Sequence, residues 1–373
     1  MIDSIARPGG GERLAVENAI RLDPGRFERT LCITRWQDGL ELAEPAASIL
    51  VRLREAGVRV IKLRRDSRAA LGAWRPLLKI LRRERVDVVH GHLFGSNVWA
   101  VILGRAARVP VVVAHEHMWA YGGSRIRPLL DRDLIARFSD AFVAVSEEGR
   151  RRMIEVERID PSRITLIPNG IAGFPPGDGA AVRRELGIDA TEPVLGSVGH
   201  LRPEKAFDVL VEATERLREK GPAPIVLIAG EGTERGRLAS LISARGLEGS
   251  VRLLGARSDV PDLLDALDIA VCCSDFEGGP LSVMEYMEAG LPVVASDVGG
   301  LPELVANGES GVLVPPRDPG ALAAALATLL GDPGARRRMG EEGRLLRRER
   351  WSLEAWVSRI EELYVELLSH HRG

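Results

Sequence analysis

Short apolar runs rich in β-branched residues recur along the chain, with helix-length amphipathic segments between them. In the first half the runs fall at 86–89, 109–114, 141–145 and 164–167. They do not alternate apolar with polar positions, which is the pattern of parallel strands covered on both faces. Segments 77–85 and 97–107 carry helical spacing. The rhythm restarts at Pro193, with strands predicted at 194–198, 225–229, 251–254, 269–272 and 293–295 and helices at 207–220 and 234–245. Segment 173–179 (GFPPGDG) has no period and reads as a linker.

This alternation predicts an α/β protein of two doubly wound, Rossmann-like domains facing across a cleft, over 1–172 and 173–350. In the last segment, 351–373, Trp351, Trp356, Val357, Ile360, Leu363, Tyr364 and Leu367 form one helical apolar stripe. It is expected to act as a cap, packing back on the N-terminal domain. Only Met1 and Ile2 precede Asp3 and the glycine run Gly9–Gly10–Gly11. The first strand is therefore expected to be a stub, unless the native start lies upstream of Met1.

Composition narrows the classes. The 373 residues are 45% apolar and 28% charged, enough for two cores and unlike a disordered chain. Of three cysteines, Cys272 and Cys273 are adjacent in an apolar run, which argues against a disulfide framework or a cysteine zinc site. A reducing, cytoplasmic setting is expected. No span approaches the roughly 20 apolar residues of a membrane helix, and no secretory signal is expected. The net charge of −2 argues against nucleic acid as a partner. Residues 1–170 nevertheless hold 29 Lys+Arg against 21 Asp+Glu, leaving 22 against 32 for the rest. The basic excess includes 52–85, with 12 Lys/Arg against three Asp/Glu. Arg and Lys over an apolar helix suit an anionic lipid surface, and equally an ordinary solvated face.

The richest chemistry lies in 274–290, SDFEGGPLSVMEYMEAG. Glu277 sits in a loop after an apolar strand, Gly278, Gly279 and Pro280 follow, and a helix is predicted from Leu281 to Ala289. The glycines let backbone approach a ligand. The helix start offers unpaired N–H groups and a positive dipole end, suited to phosphate. Glu277 and Glu285, eight apart, are expected to face one nucleotide sugar, the first toward sugar hydroxyls and the second toward a ribose diol.

That segment resembles the E-x7-E motif of retaining glycosyltransferases of the GT-B fold, family 4 in particular. VGHLRPEKAFDVLVEA (198–213), IAGEG (228–232), GLPVVASDVGGLPELV (290–305) and IPNGI (167–171) are similar to that family's second domain. GGGER (9–13), DVVHGHLFGSN (87–97) and VVVAHEHMW (111–119) are similar to its first. The resemblance implies transfer of a hexosyl or N-acetylhexosaminyl group from a nucleoside-diphosphate sugar, a UDP-sugar foremost, with the anomeric configuration retained. It implies a glycan or lipid-linked acceptor, as in bacterial cell-surface polysaccharide or glycolipid synthesis, and no cofactor or essential metal. Carried onto this chain, it implies that His117 contacts the donor sugar. Lys205, with the loop N–H groups of Gly278, Gly279 and Leu281 around Pro280, would hold the diphosphate. Gly10 and Gly11 would approach it from the first domain, and the base would rest near the turn at Gly255–Arg257. The family usually has Arg where this chain has His200, a departure that implies either a weaker clamp on the diphosphate or compensation by Arg202.

Two rival readings use other features. The H-x-H pairs His90/His92 and His115/His117 place rings on one strand face, as a metal-dependent hydrolase needs. A sugar-nucleotide epimerase is a further alternative, because one architecture hosts several chemistries.

Overall fold

The computed structural model describes residues 1–6, 8–65, 71–117, 124, 126–219, 221 and 224–372. Met118 and Trp119 at the end of the histidine motif, positions 66–70 of the basic stretch and Lys220 at the end of a predicted helix lie outside the described residues. The chain divides into two units, Met1–Asn169 with Glu354–Gly373, and Gly170–Leu353.

In the first unit β1 (Thr30–Ile33) and β2 (Arg59–Lys62) pair in parallel. Strands β3 (Val88–His92), β4 (Val111–His115), β5 (Ala141–Ala144) and β6 (Ile164–Leu166) form a four-stranded parallel sheet in that order. Met1 and Ile2 join the two sheets. Ile2 bridges Ile33, its N–H donates to the Cys32 carbonyl at 3.0 Å, and the Met1 carbonyl accepts from the His92 N–H at 3.1 Å. The predicted stub thus fills a central sheet position with one fully buried isoleucine. Strand β3 begins two residues later than the apolar pattern suggests and includes both His90 and His92. These polar residues can occupy a buried strand because, as shown below, they are uncharged.

The helix Leu353–Arg372 belongs to the first unit. Its Tyr364 reaches His90, and its Trp356 ring lies 6.2 Å from that of His115. Trp351 of the predicted stripe precedes the helix and is buried in the second unit.

The second unit has one six-stranded parallel sheet: β7 (Val194–Val198), β8 (Ile225–Ala229), β9 (Val251–Gly255), β10 (Ile269–Cys272), β11 (Val293–Ser296) and β12 (Gly311–Val314). Their spatial order is β12-β11-β10-β7-β8-β9. Winding starts at β7, runs outward to β9, then reverses to β10 and beyond. Such a reversal leaves a crevice at the carboxyl ends of β7 and β10, where ligands bind in open α/β sheets. The central strands β7, β8, β10 and β11 are buried along nearly their whole length because helices cover both faces. Val226, Ile228, Val271 and Val294 have no exposed surface.

The segment expected to be a linker is packed inside the second unit. A Cβ on Gly177 would fall 2.4 Å from the Pro261 carbonyl oxygen, and one on Gly179 2.4 Å from the Asp265 backbone. These glycines serve close approach rather than freedom. Also within the second unit, the Ile171 N–H donates to the Trp351 carbonyl (3.1 Å) and the Ile171 carbonyl accepts from Leu353 (2.9 Å).

Candidate functional site

In the second unit, the loop after β7 ends in a single 3-10 turn, Pro203–Lys205, and the loop after β10 carries Glu277. The reversal of the sheet brings the two together. Lys205 Nζ donates to Glu277 Oε1 at 2.5 Å, Ser274 Oγ donates to the same oxygen at 2.6 Å, and Cys272 Sγ lies 3.8 Å from it. All three converge on Oε1, and no hydrogen bond to Oε2 occurs among the described residues. Burial lowers the pKa of Lys205, but the charge of Glu277 and its hydrogen bond outweigh burial and hold the ammonium above the ordinary lysine range. Lys205 is therefore a fixed cation at neutral pH.

The loop bearing Glu277 is braced from behind. Gly300 N–H donates to the Glu277 carbonyl at 2.9 Å. Gly299 has φ +56°, and a Cβ there would fall 1.9 Å from that carbonyl oxygen. Tyr286 Oη accepts from the Val198 N–H at 2.6 Å and fixes the end of β7. The sequence motif contained Gly299 and Gly300, but only the approach distance reveals what they do.

Beyond Glu277, Gly278 and Pro280 are buried and Gly279 half-buried. Pro280 is the cap residue of the helix Leu281–Ala289, and no side chain caps its first N–H groups. Those groups and the helix dipole favour an anion. Glu285 lies one turn into this helix and is buried. His200 is half-buried in the loop after β7. Arg202 is half-exposed and turned toward Glu204 at 3.9 Å, so it does not join Lys205 and Glu277. The Arg257 guanidinium is engaged on both edges by Asp259 and Glu185, at 2.5–2.9 Å. What the Arg257 turn has left to offer a ligand is backbone.

The first unit gathers four histidines. Register pairs His92 with His115, and alternation puts His90 and His117 on the same face. The rings form an array. His90 and His92 stack at 4.2 Å, His115 and His117 at 4.1 Å, and the pairs face each other at about 5.3 Å, His90 to His115 and His92 to His117. His90 Nδ1 meets Tyr364 Oη at 2.5 Å and His92 Nδ1 meets His117 Nε2 at 3.0 Å. Burial holds all four well below the ordinary histidine pKa, His117 at about 3. The array is neutral at pH 7.

Gly9–Gly10–Gly11 does not make a free turn. Gly10 and Gly11 open the helix Gly10–Arg21, and Glu12 Oε2 accepts from the Gly9 N–H at 3.1 Å. Gly10 is exposed. Gly11 is buried, and a Cβ there would sit 2.9 Å from His117 Cδ2. Gly11 thus seats the His117 ring, a role its place in a glycine run did not suggest. Asn169 also faces His117 and was missed as a site residue, although it lies in the IPNGI segment.

Ring nitrogens of His90, His92 and His115 lie within 4.8 Å of one another, the feature the metal-dependent reading calls for. The planes of these rings, however, are 7–28° apart. In-plane lone pairs of near-parallel rings run side by side and do not converge on one ion. The Nδ1 atoms of His90 and His92 already have partners.

On the same unit the helix Arg75–Arg83 buries Leu77 and Leu81 and turns Arg75, Lys79, Arg82 and Arg83 outward. Leu71, just before it, is 67% exposed. Among the described residues, no helix is long and apolar enough to cross a membrane.

Residues 8–172 match the family model described as Glycosyltransferase Family 4, and residues 179–346 the one described as Glycosyl transferases group 1. The chain is 33% identical over 275 residues to a D-inositol 3-phosphate glycosyltransferase of Nocardia farcinica, spanning 68% of this chain and 61% of that protein. It is 30% identical over 309 residues to an alpha-D-kanosaminyltransferase of Streptomyces kanamyceticus, spanning 78% and 80%. Among solved structures, Anabaena Alr3699/HepE in complex with UDP and glucose superposes with a TM-score of 0.84 at 23% identity, over 98% of each chain. At that identity the likeness is one of fold.

Proposed function

Because the chain belongs to glycosyltransferase family 4 (glycosyl transferases group 1), we propose that it moves a hexosyl or N-acetylhexosaminyl group from a nucleoside-diphosphate sugar, with UDP as the leaving nucleotide, to a glycan or lipid-linked acceptor, retaining the anomeric configuration. The observation that carries this reading is the state of Glu277. Its Oε1 is saturated by Lys205, Ser274 and Cys272, which fixes the carboxylate and leaves Oε2 for sugar hydroxyls. Beside it stand a cation and an uncapped helix start, the two devices that stabilise a departing diphosphate.

In this reading the acceptor hydroxyl attacks the anomeric carbon on the face from which the diphosphate leaves. The bond to the phosphate oxygen breaks as the bond to the acceptor oxygen forms, and the freed phosphate oxygen takes the acceptor's proton. Glu277 orients and polarises the sugar and forms no covalent bond. Lys205 and the N–H groups of Gly278, Gly279 and Leu281 take up the charge on the diphosphate, Glu285 holds the ribose, and His117 meets the donor sugar. The base rests on backbone near Arg257.

Assays of UDP-, GDP- and ADP-hexoses for release of nucleoside diphosphate test this. The expected result is turnover of a UDP-sugar and a product whose anomeric proton matches the donor's configuration. Turnover of no donor, with no binding of any nucleotide, removes the proposal.

The outward cations of the Arg75–Arg83 helix, beside exposed Leu71, fit an anionic lipid surface on which a lipid-linked acceptor is presented. Flotation with anionic liposomes is expected to carry the protein in low salt and to release it in high salt. Failure to float at any salt concentration removes this part of the reading.

A further inference from the structure

The array of four histidines holds more order than contact with a sugar requires. The ring of His117 is restrained on three sides. It stacks on His115 at 4.1 Å, its Cδ2 edge lies where only a glycine at position 11 leaves room, and its Nε2 faces His92 Nδ1 at 3.0 Å. The remaining ring nitrogen, Nδ1, is buried and has no partner of hydrogen-bonding geometry among the described residues. It is the one atom of the ring's polar edge left for a substrate.

A neutral imidazole carries one proton, and whether Nδ1 donates or accepts depends on where that proton sits. Burial keeps His92 and His117 both neutral. Between two neutral rings at 3.0 Å only one can carry the shared proton. A substrate oxygen met by the orphaned Nδ1 calls for a donor there, which puts the His117 proton on Nδ1 and leaves Nε2 bare toward His92. The shared proton then belongs to His92.

We infer that His92 is a positioning residue: its Nδ1–H donates to His117 Nε2 and so holds His117 in the single tautomer whose Nδ1–H points a donor at an oxygen of the substrate. This rests on the reading of His117 as the residue that meets the donor sugar. The arrangement parallels the way a buried partner fixes the tautomer and direction of a working histidine in other enzymes. A second restraint serves the neighbouring ring. Asn18 Nδ2 donates to Tyr364 Oη at 3.2 Å, so the hydroxyl proton of Tyr364 is directed at His90 Nδ1, 2.5 Å away, and His90 carries its own proton on Nε2. The ring stacked on His92 is thereby fixed as well.

Two variants of the full chain separate this role from that of a strut. His92→Phe keeps an aromatic ring to stack on His90 and loses the donor. His92→Asn keeps an N–H near the position of Nδ1. With 15N-labelled histidine, the nitrogen shifts of His117 at pH 7 are expected to show a protonated Nδ1 and a bare Nε2 in the unmodified protein and in His92→Asn. In His92→Phe they are expected to move toward a tautomer mixture. In kinetics, His92→Phe is expected to lower kcat about 100-fold with KM for the donor within about threefold, and His92→Asn to recover at least about tenfold. An unchanged His117 nitrogen pattern in folded His92→Phe overturns the inference. So does a protonated Nε2 on His117 in the unmodified protein, a result that stands even if His92→Phe fails to fold. If the unmodified protein turns over no nucleotide sugar, the proposed function fails, while the nitrogen pattern still decides the role of His92.

Discussion

The two units wind alike and differ in what they put at the place where winding reverses. Counting the Ile2 bridge as a strand, the first unit runs β2-β1-Ile2-β3-β4-β5-β6, and the second runs β9-β8-β7-β10-β11-β12. In both, the chain leaves the first central strand, winds one way, and returns beside it to wind the other. Both loops at the reversal also hold a non-glycine residue at positive φ, Leu93 (+70°) directly after β3 and Ala206 (+49°) directly after Lys205. Such residues cost of order 1–3 kcal/mol and cluster where a site needs an exact backbone direction. Yet the first unit fills the position with four neutral imidazoles, and the second with a buried ion pair. Topology fixes where a site is and says nothing of its charge, which the residues at the strand ends supply. The first unit's array can offer hydrogen bonds without a field. The second unit's Lys205 can meet a diphosphate.

The comparison breaks first at Glu277. Its replacement by Ala is expected to lower glycosyl transfer by about 10³-fold or more while UDP still binds, because the lost group orients the sugar and not the nucleotide. The same change leaves Lys205 as a buried cation without its counter-charge, a defect that costs about 3–5 kcal/mol. Adding Lys205→Met to Glu277→Ala removes the uncompensated charge. The double variant should therefore regain part of the lost melting temperature and none of the activity. Full turnover in Glu277→Ala would mean that the second unit's pair is only a structural salt bridge, and a double variant less stable than the single would mean that Lys205 does not depend on Glu277 for its charge.

How much of this was legible beforehand varied between the units for a physical reason. In the second unit, β8 and β10 are buried throughout and contain only apolar residues, and β7 breaks its apolar run only at Ser197, so all three fall where the apolar runs do. The helix start follows from Pro280 and the loop glycines after β10, while Lys205 and Glu277 are singled out by the family resemblance of the loops that carry them. In the first unit the apolar signal fails where burial is achieved by neutral polar groups. His90 and His92 interrupt the run at 86–89, and β3 is displaced to Val88–His92. Strand β2 carries Arg59 and Lys62 at its ends and has no buried position, so no apolar run marks it. The roles of Gly11 and Gly299 depend on a neighbour's atom 2.9 Å and 1.9 Å from a missing Cβ, and no local pattern contains that neighbour. Position alone also does not tell that the Arg257 guanidinium is engaged by Glu185 and Asp259, or that Arg202 lies 3.9 Å from Glu204.

Acid sharpens the contrast with a smaller effect. The four histidines of the first unit have native pKa values held below the unfolded value of about 6.5 by burial, His117 at about 3. As pH falls through about 6.5 the unfolded chain takes up protons that the folded array refuses. More protons bound in the unfolded state means stability that falls with pH. The loss begins near pH 6.5 and, for His117, continues to about pH 3, at up to about 1.4 kcal/mol per pH unit for each histidine. Lys205, held above the ordinary lysine range, stays charged throughout this window and adds no such slope. Trp36, Trp74, Trp99 and Trp356 all lie in the first unit, so tryptophan fluorescence reports mainly on it. Its urea midpoint is expected to drop steadily between pH 7 and pH 5. Replacing the solvent-shielded His115, whose ring nitrogens make no hydrogen bond among the described residues, with Phe should flatten that slope by about one histidine's share. A midpoint independent of pH over this range would mean that the array carries protons when folded, and the distinction between a neutral and a charged unit would be lost.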